Sequence, residues 1–182
     1  MSPESVTLVG LRCSGKSTVG RELARLLGLG FVDLDEVIAS TYSQEAGEDP
    51  CTVGEVLERI GVPAFRELES RCLREVLGDG PVVVATGGGA VEAPGNRSLL
   101  SASRCLWLDA PVEVLAERLR ADPTLRPALL GGGDPAAELA ELHEKRAPLY
   151  REVASVRLQA APATALEVAR TAENWLREAK NT

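Results

Sequence analysis

The segment Gly10-Leu-Arg-Cys-Ser-Gly15-Lys16-Ser17 has the spacing of a phosphate-binding loop: a glycine, four residues, then glycine, lysine and a hydroxyl residue. Glycines at those places let consecutive backbone N–H groups turn inward around phosphate oxygens, and the N-terminus of a following helix adds partial positive charge. Lys16 then reaches the outer phosphates and Ser17 offers its hydroxyl to Mg²⁺. Ser14, Gly15, Lys16, Ser17 and Thr18 are the candidate nucleotide-binding residues. A glycine-rich turn that merely contains Lys-Ser is the bland alternative. The loop by itself does not separate a kinase from a GTPase switch or a motor ATPase.

The acceptor side must make that distinction. Asp33 and Asp35 close a short apolar run, and residues two apart on a strand share a face. One carboxylate can hold Mg²⁺, directly or through water, while the other accepts a hydrogen bond, and then a proton, from an attacking hydroxyl. Capping of the next helix is the competing use of an Asp at such a boundary. The run Val82 to Thr86 ends in Gly87-Gly88-Gly89, read either as a close backbone approach to a ligand or as a tight strand-to-helix turn. Arg66, Arg126 and Arg146 supply planar forks that suit carboxylates and phosphates. Each alone reads as a surface residue. Arg66 follows Phe65 near a helix start, Arg126 precedes Pro127 in a loop, and Arg146 stands at a helix end.

These groups need elements to carry them. Short runs rich in branched apolar residues at Val6 to Leu11, Phe31 to Leu34, Val82 to Ala85, Cys105 to Leu108 and Val153 to Leu158 predict five strands, separated by segments of helical spacing such as Ser17 to Leu27. That alternation predicts a mostly parallel sheet with helices on both faces. In such a sheet the carboxyl ends of the strands form the ligand edge, which puts the phosphate loop, the Asp pair and the triple glycine together. Ser43 to Thr52 and Ala121 to Pro135 read as loops; the second, with three prolines and three glycines in a row, reads as a lid that excludes water.

Size and charge bound the partners. A chain of 182 residues fits one domain covering residues 1–182. A net charge of −7 argues against sequence-independent nucleic-acid binding. No run reaches the roughly eighteen apolar residues of a membrane-spanning helix, and Met1 to Ser5 lacks a signal-peptide pattern, so the expectation is a cytoplasmic protein. Cys13, Cys51, Cys72 and Cys105 include no C-x-x-C pair and read as thiols, and His143 reads as part of a solvated helix face.

Taken in order, Gly10 to Ser17, Asp33-Leu-Asp35, Phe65-Arg66 with Glu69, Gly87 to Gly89, Arg126-Pro127 and Arg146-Ala-Pro-Leu-Tyr150 resemble the shikimate kinases, part of the nucleoside-monophosphate-kinase-like group of P-loop enzymes. The match spans nearly the whole chain. It implies a three-layer α/β P-loop fold with strand order 2-3-1-4-5, a substrate-binding flap at about residues 35–65 and a lid at about residues 121–135. It also implies ATP-dependent phosphorylation of the 3-hydroxyl of shikimate, with Mg²⁺, by a monomer that binds neither nucleic acid nor membrane. By resemblance, Lys16, Asp35 and Arg126 are catalytic. Asp33, with Ser17, serves the metal; Arg66, Arg146, Asp35 and Gly87 to Gly89 bind shikimate; and an arginine at the start of the lid, Arg120 in preference to Arg118, stacks on adenine.

The chain departs from the family pattern in its flaps. Gly61 is followed by Val62 and Pro63 where Gly-Glu is common, the lid reads Arg126-Pro-Ala-Leu-Leu rather than Arg-Pro-Leu-Leu, and Glu45 to Cys51 is expanded. These changes are expected to alter lid packing and kinetics more than reaction type. Two rival readings stand beside this one: a kinase for another hydroxy acid such as gluconate, and a nucleotide-dependent binding module without transfer. Retention of Asp35, Arg66 and Arg146 speaks against the second, because a switch has no use for an acceptor pocket.

Overall fold

The computed structural model describes residues 4–121 and 134–179. Val6–Val9 forms β1, a buried run of β-formers, and the chain then enters the phosphate loop. Lys16–Leu27 forms α1; Val19, Gly20, Leu23 and Ala24 fall on one face and are buried, and left-handed Gly28 ends the helix. Gly30–Asp33 is β2 and Leu34–Ala46 is α2. Val53–Gly78 is α3, interrupted at Gly61, whose φ of 74° and ψ of 168° are not helical, so that Pro63 falls in the first turn of the second half. Val82–Ala85 is β3, followed by a 3-10 turn at Ala90–Glu92 and α4 at Pro94–Ser101. Arg104–Asp109 is β4, Val112–Ala121 is α5, Pro135–Val153 is α6, Val156–Gln159 is β5 and Ala165–Glu178 is α7.

All the strand pairings are parallel, and the order β2-β3-β1-β4-β5 is the one expected. Register places Leu8 of β1 opposite Ala85 of β3 and Leu106 of β4. A right-handed crossover from β1 to β2 runs one way across the sheet, and those into β3, β4 and β5 run the other way. α1 therefore covers one face, with α7 packed against it, while α4 and α6 lie against β4 on the opposite face. The core fills both interfaces with Leu8, Leu23, Leu106, Leu108 and their neighbours, and buried Tyr150 sits with its ring centroid 5.7 Å from that of Trp107. Among the described residues no helix is long and apolar enough to cross a membrane. None of the four cysteines is joined in a disulfide.

Several expected boundaries move, each for a local reason. Asp33 ends β2 and caps α2, accepting the Asp35 N–H at 3.2 Å, so Asp35 lies in the first helical turn and not on the strand. The expected loop from Ser43 to Thr52 is shorter, because α2 continues to Ala46 before Gly47 stops it. The final strand starts at Val156, later than expected, because α6 runs on to Val153; Arg146 consequently sits inside a helix and not at its end. Ala121 closes α5 and Pro135 opens α6, so the expected lid of residues 121–135 falls almost wholly on residues 122–133, which lie outside the described residues. His143 is only partly open to solvent and lies 3.5 Å from the Asp109 carboxylate, not on a fully solvated face.

Gly10 carries the sharpest packing constraint of the sheet. Its φ of 145° is costly for any other residue, and a Cβ there would stand 2.3 Å from the carbonyl oxygen of Leu108 in β4. Gly10→Ala is expected to destabilise the fold by about 2 kcal/mol or more, through strain and overpacking together. A urea unfolding midpoint equal to that of the wild type would contradict this account.

Candidate active site

The strand order brings three chain segments to one edge of the sheet. The first is the phosphate loop, where Cys13 and Gly15 adopt positive φ of 63° and 91° and curl the backbone ahead of α1. Lys16 bends back over this loop, its Nζ donating to the carbonyls of Gly10 at 3.0 Å and Leu11 at 2.8 Å. An ammonium has three N–H groups, so one remains for a ligand. Lys16 keeps some open surface, yet the protein around its ammonium strips away water, and this burial pulls its pKa down to about 8 against the raising effects of Asp35, Cys13 and Asp33. Ser14 is buried at 1% exposure and its hydroxyl has no hydrogen-bond partner. A buried polar atom left this way calls for an explanation, and an incoming phosphate oxygen supplies one.

The second segment is the end of β2. Asp33 does two things at once: Oδ1 caps α2 through the Asp35 N–H, and Oδ2 accepts the Ser17 hydroxyl at 2.5 Å. Capping and the metal-facing role are therefore compatible, one oxygen for each. The Asp33 carboxylate and the Ser17 hydroxyl form a pair of hard oxygens at the start of α1, the donor type that Mg²⁺ takes when phosphates and waters complete its shell. Asp35 lies one helical step further on. Burial, then the neighbouring charge of Asp33, raises its pKa above the usual carboxylate range, with Lys16 and Arg66 opposing. A carboxylate so placed is a stronger base than one in water.

The third segment is the triple glycine after β3, where a side chain at any position would meet the site. A Cβ on Gly87 would stand 3.0 Å from Asp35 Oδ1, one on Gly88 3.3 Å from the Gly10 carbonyl and one on Gly89 2.1 Å from Arg66 Nη2. The turn is thus a place of close backbone approach, and what approaches it is the protein's own set of charged groups. Arg66, one turn beyond the break in α3, donates from Nη1 to Glu69 at 2.8 Å and from Nη2 to Glu92 at 3.2 Å. Arg146, buried in α6, donates from Nε to Glu92 at 3.0 Å, and the Tyr150 hydroxyl donates to the Gly88 carbonyl at 2.6 Å. Asp35, Arg66, Arg146 and Gly87 to Gly89 are all brought together on the Lys16 edge.

Two clefts open on this edge. One, of about 320 Å³, lies beside the phosphate loop and is lined by Cys13, Ser14, Gly15, Thr18, Ala160, Val168 and Arg118. Arg118 reaches into it from α5, donating to the carbonyls of Cys13 and Ala160 at 3.1 Å each. Arg120, favoured from the sequence, is exposed, pairs with Asp134 at 3.4 Å and does not line this cleft. Residues two apart on a helix point in different directions, so only one of the two can face the loop. The other cleft, of about 620 Å³, lies between α2 and the segment leading to α3, with Asp35 at its inner end. Arg126 lies outside the described residues. Glu92, the partner of both Arg66 and Arg146, is the site residue that the sequence pattern does not single out.

Comparison with known proteins places this arrangement. The family model described as shikimate kinase matches residues 12–177. A shikimate kinase of Gloeobacter violaceus is 49% identical over 169 residues, covering 91% of this chain and 90% of the relative. One of Halorhodospira halophila is 44% identical, covering 93% and 91%. The solved shikimate kinase of Acinetobacter baumannii in complex with shikimate superposes with a TM-score of 0.87 at 34% identity, over 99% of this chain and 96% of that one. With a family model that runs from within the phosphate loop into α7, and relatives alike at this level over nine-tenths of their length, this chain belongs to the shikimate kinase family.

Proposed function

We propose that this chain transfers the γ-phosphoryl group of ATP to the 3-hydroxyl of shikimate, giving shikimate 3-phosphate and ADP, a step toward chorismate and the aromatic amino acids. One observation carries the reading: Asp35, Arg66 and Arg146 surround the Gly87 to Gly89 turn on the same sheet edge as Lys16. That is a hydroxyl-binding carboxylate and two carboxylate-binding cations beside a phosphate loop. The shikimate carried by the Acinetobacter baumannii relative has the matching groups, a carboxylate and ring hydroxyls. The reading includes one folded unit over residues 1–182, acting as a cytoplasmic monomer.

The residues divide the work as follows. Arg66 and Arg146 hold the substrate carboxylate through N–H groups not committed to Glu69 or Glu92. Asp35 accepts a hydrogen bond from the acceptor hydroxyl and takes its proton as the oxygen attacks phosphorus, and its raised pKa suits that task. Lys16 and the loop N–H groups receive the β- and γ-phosphates, with the Ser14 hydroxyl as a further donor. Ser17 and Asp33 would hold Mg²⁺, which would supply charge neutralisation to the bound phosphates. In the smaller cleft Arg118 takes the adenine-side part that the sequence pattern gave to Arg120. Arg126 adds charge from the lid segment. Catalysis is then mostly positioning, with no covalent enzyme intermediate.

A coupled assay with ATP tests the assignment directly. Shikimate is expected to be turned over and gluconate not; turnover of gluconate without shikimate would move the chain to the rival acid kinase. Arg146→Ala is expected to raise the KM for shikimate by about tenfold or more, the scale of a lost hydrogen bond to a charged group. Asp35→Asn is expected to lower kcat by about 10²-fold or more with shikimate binding partly retained. Unchanged shikimate affinity in Arg146→Ala would remove the carboxylate assignment.

The buried Lys16 also gives a pH signature. Phosphates favour its charged form, so nucleotide binding must raise a pKa that stands at about 8 in the free protein. The contribution of Lys16 to ATP affinity is thus fully present below that value and is lost as pH rises from it toward the higher pKa of the nucleotide-bound form. Calorimetric titrations in buffers of different ionisation enthalpy should report proton uptake near pH 8 and little at pH 6.5; release, or no pH dependence, would show that Lys16 does not meet the phosphates.

A further inference from the structure

Glu92 stands at the end of the 3-10 turn that follows the triple glycine, and its carboxylate is shared among three cations. Oε1 accepts from Arg146 Nε at 3.0 Å and lies 3.1 Å from Lys145 Nζ, while Oε2 accepts from Arg66 Nη2 at 3.2 Å. Burial works to raise the pKa of Glu92, but the charges of Arg146 and Arg66 and the hydrogen bonds from Lys145 and Arg146 outweigh it and hold the carboxyl below its ordinary range. The group is an anion at neutral pH.

The backbone that carries it is fastened from behind. Asn96 Nδ2 donates to the Ala90 carbonyl at 3.0 Å, and Arg97 Nη1 donates to the carbonyls of Val91 at 2.9 Å and Glu92 at 3.3 Å. Arg97 is in turn anchored to Glu152 of α6 at 3.0 Å. Glu92 therefore projects from a fixed turn, not from a swinging loop.

The way it grips the arginines leaves their ligand-facing sides open. On Arg146 it takes Nε, the rear edge of the guanidinium, while Nη1 faces Gly88, 3.6 Å from where a Cβ would stand there. On Arg66 it takes one N–H of Nη2, with Nη1 bound to Glu69, and each terminal nitrogen has a second N–H. Two guanidiniums aimed at one substrate carboxylate repel each other in a partly desolvated site. An anion between their outer edges offsets that repulsion and fixes their separation before the substrate arrives.

We propose that Glu92 is a positioning residue for carboxylate recognition, a carboxylate of the protein that ties Arg66 to Arg146 so that their remaining N–H groups converge on the carboxylate of the substrate. The inference rests on the shikimate kinase reading given above. It assigns a role to a side chain that touches both substrate-binding arginines as well as Lys145, and it predicts an effect confined to substrates that carry the negative charge.

The test uses the full chain as wild type, Glu92→Gln and Glu92→Asp, with steady-state kinetics on shikimate and inhibition by shikimate carboxamide, the neutral analogue. Glu92→Gln keeps the shape and removes the charge; it is expected to raise the shikimate KM about tenfold, with the penalty on KM rather than kcat. The inhibition constant of the carboxamide is expected to stay at the wild-type value. Glu92→Asp keeps the charge but is too short to span both arginines, and its KM should fall between the two; it carries the comparison should Glu92→Gln fail to fold. An unchanged or lowered shikimate KM in Glu92→Gln overturns the proposal, as does an equal loss for the carboxamide, which would mark a merely structural role. Wild-type protein without any shikimate turnover overturns the functional reading and this inference with it. Wild-type turnover with an unmoved Glu92→Gln overturns the inference alone.

Discussion

The constraint on which the rest depends is the absence of side chains at Gly87, Gly88 and Gly89. Backbone alone fits between the phosphate loop, Asp35, Arg66 and Arg146, and a methyl group at Gly89 would overlap the Arg66 guanidinium. The loop after β1 and the turn after β3 are adjacent because β1 and β3 are paired, so strand order and the missing atoms together bring an acceptor pocket against a phosphate cradle. The Tyr150 hydroxyl, donating to the Gly88 carbonyl, holds α6 and its Arg146 to the same turn. One short backbone stretch thereby sets the relative placement of groups from three helices.

Charge in this site is distributed so that each ion has a counterpart without being used up by it. Arg66 lies between Glu69 and Glu92, Arg146 against Glu92, and Lys16 over backbone carbonyls near Asp33 and Asp35. Breaking a buried ion pair on one side strands the other charge, which makes such clusters costly to disturb. Burial raises Glu69 above the usual carboxylate range even with Arg66 beside it, as it does Asp35. Carboxyls with raised values next to a lysine with a lowered one mark a pocket poorer in water than its open edge suggests.

Legibility in the sequence tracked locality. The phosphate loop and the five parallel strands could be read because the glycine spacing and the alternation of apolar runs are short-range patterns, and the loop stands where strand and helix require it, whereas the order of the strands came only from the resemblance to the shikimate kinases. Asp33 and Asp35 could be located but not correctly framed, since the cap that Asp33 provides turns Leu34 and Asp35 into helix, and a cap looks the same in sequence as the end of a strand. Arg118 and Arg120 sit on one short helix, and helical phase alone does not say which faces the loop; the carbonyls of Cys13 and Ala160 decide it. Glu92 carried no local signal at all. Its meaning comes from Arg66 and Arg146, which meet it only once α3, the 3-10 turn and α6 have been packed together.

The sheet order also dictates when a growing chain can become competent. β1 is made first yet lies in the middle, and its hydrogen-bonding edges wait for β3 and then for Arg104 to Asp109 of β4. During translation β1 and β2 therefore have no way to pair with each other, and one edge of β1 stays open after β3 has been made, until the residues of β4 have followed. A nascent fragment ending before that point would hold the full triphosphate motif and still lack the wall, Leu108, against which Gly10 must rest.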